Sequence, residues 1–368
     1  MKIDDVTLTI FGWEGIPSAR YHGTTSTLPT SDLGLLTIRT DAGLAGHAFL
    51  GSSRNPASMD GPMLIRWLKP LLMGADPFDR ERLHAEMLRL SRVATYRTVG
   101  AVDVALWDIA GKAASLPIYA LLGGANPSVP AYISSAILSG TDAYVEDALS
   151  VQGGGAVGYK IHPPQTPALD IQICAAVREA VGSEYTLMLD STWSYDYPDA
   201  LRVGRAIQEL DYYWYEDPLS ESDVYNYVKL REKLDIPILA TEYPTGDLTT
   251  YPIWLTERAT DFLRGDVPNK GGITTMVKTA HLAEAFGMSY EVHHGGNSLN
   301  NIAHAHVTAA LPNTHFFEII LPAEAQQYGL SEELSVNKDG CITAPSGPGL
   351  GAEIDFDLIK RRELAVLS

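Results

Sequence analysis

Three acids in this chain share a setting and a period. Asp190 closes the run YTLMLD, Glu216 closes YYWYE and Glu242 closes PILATE, with 26 residues between each and the next. Each run is short, apolar or aromatic, and followed by polar or turn residues, as at the end of a buried strand. A 26-residue period holds one strand, one crossover helix and two loops. In a closed parallel sheet that repeat brings equivalent strand ends to one rim, where barrel enzymes place their chemistry. Three hard carboxylate oxygens on such a rim suit Mg²⁺.

Other titratable groups fall at neighbouring strand ends. Lys160 and His162 stand two apart in GYKIHPP, so in an extended strand their side chains share a face. A lysine there can neutralise an anion or act as a base, and a histidine exchanges protons near neutral pH. Asp266 ends TDFLRGD and His293 ends MSYEVH. On adjacent parallel strands Asp266 can orient the imidazole for acid–base work; His294 is the rival for that position. Glu318, in THFFEII, is expected across the rim, where its protonated form would hydrogen-bond a substrate oxygen. The set points to removal of a proton alpha to a carboxylate. Mg²⁺ and Lys160 would offset the charge of the enediolate while a histidine or lysine takes the proton. No G-x-S-x-G elbow or H-E-x-x-H helix points to hydrolysis.

The elements that must position these residues follow a regular beat. The endpoints 162, 190, 216, 242, 266, 293 and 318 are separated by 28, 26, 26, 24, 27 and 25 residues. With VPAYISSA as the first strand, eight strands alternate with helix-like segments, an α/β pattern of parallel strands covered by helices. Residues 1–125 lack this beat. MKIDDVTLTIF reads as a strand and LLTIRTDAGLAGHAFL as a hairpin, while the Gly-, Pro-, Ser- and Thr-rich segment between them reads as loop. That loop carries Tyr21 and His22, and GSSRNPASMDG carries Arg54; all three are candidate substrate contacts. A proline should kink or divide the helix in GPMLIRWLKPLLMG. In AVDVALWDIAGK, Asp103 and Asp108 read as capping or salt-bridge acids. His304 and His306 lie in an apolar helical run that suits core roles. The tail offers a hairpin around LSVNKDGCITAP and then a closing segment. Expected domains are 1–125 for the cap, 126–325 for the barrel, and 326–368, a segment that completes the barrel and the cap.

Composition narrows the partners. A net charge of −18 and a pI near 4.9 leave no basic surplus for nucleic acid and disfavour anionic membranes. No apolar run of spanning length or signal-like segment is present. The two cysteines, Cys174 and Cys341, match no metal or redox spacing and suggest a cytoplasmic protein. A small-molecule carboxylate is the expected partner, and a homo-oligomer is compatible with the chain.

The residues AVDVALWDIAGK, Lys160-Ile161-His162, Asp190, Glu216, Glu242, Asp266 and His293 together resemble the enolase superfamily, in its mandelate racemase-like group. The resemblance implies a modified TIM barrel, (β/α)7β, under an α+β capping domain built from the first and last segments of the chain. It also implies Mg²⁺ on Asp190, Glu216 and Glu242, Lys160 beside the substrate carboxylate, an Asp266–His293 dyad, and Glu318 near that carboxylate. The departure is His162, where the family usually has a second lysine. This favours dehydration of a sugar acid to a 2-keto-3-deoxy acid. A racemase, epimerase or lactone cycloisomerase is the alternative, and a non-catalytic carbohydrate-binding protein is a third reading.

Overall fold

The computed structural model describes residues 1–124, 126–242 and 248–368; the domain boundary expected at 125 falls outside them. Alternation of buried and exposed positions drives the first strands. β1 (Ile3–Glu14) buries Val6, Leu8 and Ile10 at every second residue, the period of a half-buried strand. It pairs antiparallel with β4 (Thr30–Thr40), which pairs with β5 (Ala45–Leu50) across the turn at Asp41–Gly43. The segment expected as loop contains a small hairpin, β2 (Arg20–His22) with β3 (Thr25–Ser26).

Pro62 and Pro70 divide the first helical stretch. Helical turns at Ala57–Met63 and Lys69–Leu72 flank a π-helical turn, Leu64–Leu68. Pro70 has no N–H to donate and its ring crowds the preceding turn, which the wider π spacing accommodates.

The helix Tyr96–Ala114 joins the cap to the barrel. It is buried along most of its length, because β5 covers one side and the barrel the other. A Cβ at Gly46 would meet the Ala105 carbonyl oxygen at 2.1 Å, and one at Gly100 would meet that of Val267 at 2.5 Å. Glycine permits these backbone approaches. Asp103 reaches from the same helix to the N-terminus of barrel helix Ile273–Ala285, accepting from Thr274 N at 2.9 Å and Thr274 Oγ1 at 2.6 Å. Gly272, at the N-cap, has no side chain to do this. Asp108 pairs with Lys112 at 2.7 Å and accepts from His47 N and Leu350 N. Neither acid is near the expected site.

The eight expected barrel strands are present: β6 (Ser128–Ser134), β7 (Gly158–Ile161), β8 (Thr186–Asp190), β9 (Trp214–Glu216), β10 (Ile238–Ala240), β11 (Phe262–Gly265), β12 (Ser289–Val292) and β13 (Phe317–Ile320). They pair in parallel from β6 through β12, and β13 returns to lie beside β6. The seam lies between β12 and β13. Tyr132, Met188, Trp214 and Leu239 fill the interior with Phe262 and Phe316, an apolar floor beneath the polar mouth. The tail departs from expectation. Instead of forming a hairpin with its own neighbour, β14 (Cys341–Thr343) adds antiparallel to the start of β6, where the free side of Ser128–Pro130 offers unpaired backbone. β15 (Glu363–Leu367) pairs with β1, so the cap sheet runs β15-β1-β4-β5. The fold is a (β/α)7β barrel with an α+β cap. Among the described residues, no helix is long and apolar enough to cross a membrane.

Candidate active site

The strand ends converge on one mouth of the barrel. Carboxylate oxygens of Asp190, Glu216 and Glu242 lie within 4.8 Å of one another, and all three residues are buried. Asp190 and Glu216 stand side by side at the ends of β8 and β9; Glu242 follows β10 by two residues. The backbone beside them is strained. Thr192 (φ 46°), Trp193 (φ 62°), Asp217 (φ 44°) and Thr241 (φ 85°) occupy the left-handed region without being glycine. Such conformations cost about 1–3 kcal/mol each and cluster at functional sites.

Two buried cations hold the acids. Lys160 Nζ lies 3.3 Å from Asp190 Oδ2, 2.9 Å from Glu216 Oε2 and 2.8 Å from Glu318 Oε1. The second is Arg264, which the sequence reading missed. Its Nε is 2.7 Å from Glu216 Oε1, its Nη2 2.5 Å from Glu318 Oε2, and it is fully buried. Arg264 lies on β11, two residues before Asp266, so the parity that aligns Lys160 with His162 is the signal that would have found it.

Glu318 is the second residue of β13, paired with Tyr132 of β6, and it shares Lys160 and Arg264 with Glu216. Burial opposes its charge, but Lys160 and Arg264 outweigh that and hold its carboxyl well below the usual range. Its geometry is therefore that of an ionised acceptor clamped by two cations, not of a proton donor to substrate.

Four carboxylates thus face two fixed cations, an excess of negative charge in a largely buried cluster. Burial pushes Glu216 up to about 7; Arg264 opposes that shift and Asp190 adds to it. Burial also works against ionised Asp190, but Lys160 and His162 hold it below the usual range. A divalent cation among Asp190, Glu216 and Glu242 would supply the missing positive charge, and an all-oxygen donor set fits Mg²⁺.

An imidazole stands on each side of the triad. His293 Nδ1 is 2.7 Å from Asp266 Oδ2 and its Nε2 is 3.4 Å from Glu242 Oε1. Burial disfavours the imidazolium, but Glu242 and the Asp266 hydrogen bond outweigh it and raise the pKa. Asp266 is itself fixed as the N-cap of a short turn, accepting from Asn269 N at 2.6 Å. On the other side, His162 Nδ1 lies 2.6 Å from the Ser135 carbonyl oxygen. A carbonyl can only accept, so Nδ1 carries the proton and Nε2, 3.1 Å from Asp190 Oδ2, is the end turned to the acids.

A cavity of about 240 Å³ opens above these groups, lined by Tyr21, His22, Arg54, His162, Asp190, Glu242 and His293 among others. Cap and barrel therefore both contribute. The Tyr21 hydroxyl donates to the Leu321 carbonyl at 2.7 Å and accepts from Gln326 Nε2 at 3.2 Å. Its ring meets His162 edge-on at 5.5 Å. His22 meets Trp193 at 6.1 Å, and Arg54 Cζ lies 5.4 Å over the Tyr21 ring.

The family model described as enolase C-terminal domain-like matches residues 143–358, and that of the mandelate racemase/muconate lactonizing enzyme N-terminal domain matches residues 9–123. The chain belongs to the enolase superfamily. Within this mandelate racemase-like group it is 30% identical over 302 residues to an arabinonate dehydratase of Saccharolobus solfataricus, covering 78% of this chain and 79% of that protein. It is 29% identical to a 3,6-anhydro-alpha-L-galactonate cycloisomerase of Streptomyces coelicolor, with 90% and 91% covered. A crystal structure of a D-glucarate dehydratase from Agrobacterium tumefaciens complexed with magnesium superposes with a TM-score of 0.88 at 34% identity, covering 99% of this chain and 100% of that one. The protein is an enzyme of the acid-sugar dehydratase and isomerase kind.

In this enolase-superfamily chain His294 faces away from the mouth. Its Nδ1 accepts from Glu318 N at 3.1 Å, bridging the seam between β12 and β13, and its ring packs on Phe317. His304 Nε2 accepts from Val267 N at 3.0 Å, and His306 Nε2 donates to the Leu350 carbonyl at 3.0 Å. All three are fixed by the fold.

Proposed function

We propose that the protein dehydrates a sugar acid to a 2-keto-3-deoxy acid by first removing the proton alpha to its carboxylate. The observation that carries this reading is the pair of imidazoles, His162 and His293, facing one cavity from opposite sides of an acid triad. We assign Asp190, Glu216 and Glu242 to hold Mg²⁺. Bound there, the ion would accept the substrate carboxylate and offset the charge that develops as the alpha proton leaves.

The remaining work falls to the chain. Lys160 supplies a fixed positive charge beneath the substrate carboxylate, and Glu318 with Arg264 keeps its ammonium in place. One imidazole takes the alpha proton and the other gives a proton to the departing beta hydroxyl; substrate configuration decides which. Asp266 keeps Nδ1 of His293 protonated, so Nε2 is the atom that exchanges with substrate. The Ser135 carbonyl does the same for His162. Opposed bases also suit a racemase, epimerase or lactone cycloisomerase, the second reading, which the cycloisomerase relative supports.

Incubation of a stereochemically diverse acid-sugar panel with Mg²⁺ in D₂O, followed by NMR, tests the proposal. Dehydration gives a carbonyl product, whereas racemisation gives alpha deuterium with unchanged composition. His162→Asn and His293→Asn should each abolish turnover with substrate binding retained. Binding of many such acids without exchange or conversion would sink the reading.

A further inference from the structure

Arg54 is out of keeping with its surroundings. In a chain of net charge −18, arginines near acids find partners: in the same region Arg97 pairs with Asp60 at 2.6 Å. Among the described residues Arg54 makes no ion pair; its side chain lies half-buried over the Tyr21 ring. It lines the 240 Å³ cavity and also a smaller one of about 60 Å³, and His293 lines both. In the larger space the guanidinium shares the lining with Asp190, Glu242, His162 and His293, and among the described residues it pairs with no counter-charge there.

The dimensions constrain what fills this space. Arg54 Cζ is 5.4 Å from the Tyr21 ring centre, which is 5.5 Å from that of His162, so the guanidinium lies within about 11 Å of the imidazole. An extended six-carbon chain separates its terminal carbons by roughly 6 Å at ordinary bond lengths. Charge-assisted contacts of about 2.8 Å at each end bring the reach to roughly 12 Å. A six-carbon acid held beside His162 is therefore long enough to reach Arg54 with an anionic far end. A guanidinium pairs two-pronged with a carboxylate, and a hydroxymethyl group in its place would leave Arg54 without a counter-charge.

We propose that Arg54 is a distal carboxylate subsite and that the enzyme selects a six-carbon sugar diacid over the monoacid of the same configuration. This rests on the acid-sugar reading of the site above. Loss of one charge-assisted contact predicts a preference on the order of 10- to 100-fold in kcat/KM.

The test uses matched acids that differ only at C6, as carboxylate, hydroxymethyl or phosphate ester, assayed with Mg²⁺ on the wild-type enzyme, Arg54→Gln and Arg54→Lys. The expected result is a wild-type preference for the diacid that collapses toward one in Arg54→Gln, mainly through KM, and is partly restored in Arg54→Lys. Equal use of monoacid and diacid, preference for the phosphate ester, or an equal fall for every substrate in Arg54→Gln overturns the subsite while the dehydratase reading stands. No conversion or alpha-proton exchange in any series overturns both.

Discussion

Replacing Arg264 by methionine tests whether the site is balanced as its geometry implies. The guanidinium and its two close partners, Glu216 and Glu318, have fully buried side chains. Removing one member of a buried ion pair leaves the other uncompensated, at about 3–5 kcal/mol. Metal-free Arg264→Met should therefore lose roughly that much stability in urea unfolding. Adding Glu318→Gln removes one of the stranded carboxylates, so the double variant should recover about 1–3 kcal/mol as a coupling energy. Saturating Mg²⁺ should stabilise Arg264→Met more than wild type, because it meets one more unbalanced negative charge. A single variant within about 1 kcal/mol of wild type, or a double-mutant cycle without coupling, would refute the counter-ion role.

Two predictions lie outside the site. His306 is satisfied as a neutral ring: Nε2 donates to the Leu350 carbonyl while Nδ1 accepts from Tyr119 N at 3.3 Å. Burial lowers its pKa to about 4, below its unfolded value near 6.5, so the unfolded chain binds the proton first and stability falls with pH across that window. Wild type should lose about 2 kcal/mol between pH 7.5 and 5 relative to His306→Gln in paired unfolding curves; parallel curves would refute this. Asp103→Ala should cost about 1–2 kcal/mol by uncapping the helix Ile273–Ala285, and Asp103→Asn should cost less because it keeps an acceptor; equal melting of all three proteins would exclude the capping role.

The barrel was legible because the strand–helix repeat is metrical: each endpoint from His162 to His293 predicts where the next falls. The acids were legible for the same reason, since strand ends share a rim. Arg264 was hidden because one arginine in FLRGD gives no sign of pointing inward until the strand's facing is fixed by Asp266. The β2–β3 hairpin escaped detection because its strands are too short for any periodicity. The left-handed backbone at Thr192, Trp193 and Thr241 has no sequence signature, since threonine and tryptophan ordinarily avoid it.

The pairing of β15 with β1 has a consequence for biosynthesis. The partner of one cap strand lies some 350 residues downstream, with the whole barrel between them. At typical translation rates of 5–20 residues per second, the edge of β1 waits roughly 15–60 s after β5 is made before β15 exists to cover it. The barrel can close in that interval, and the cap sheet is completed last.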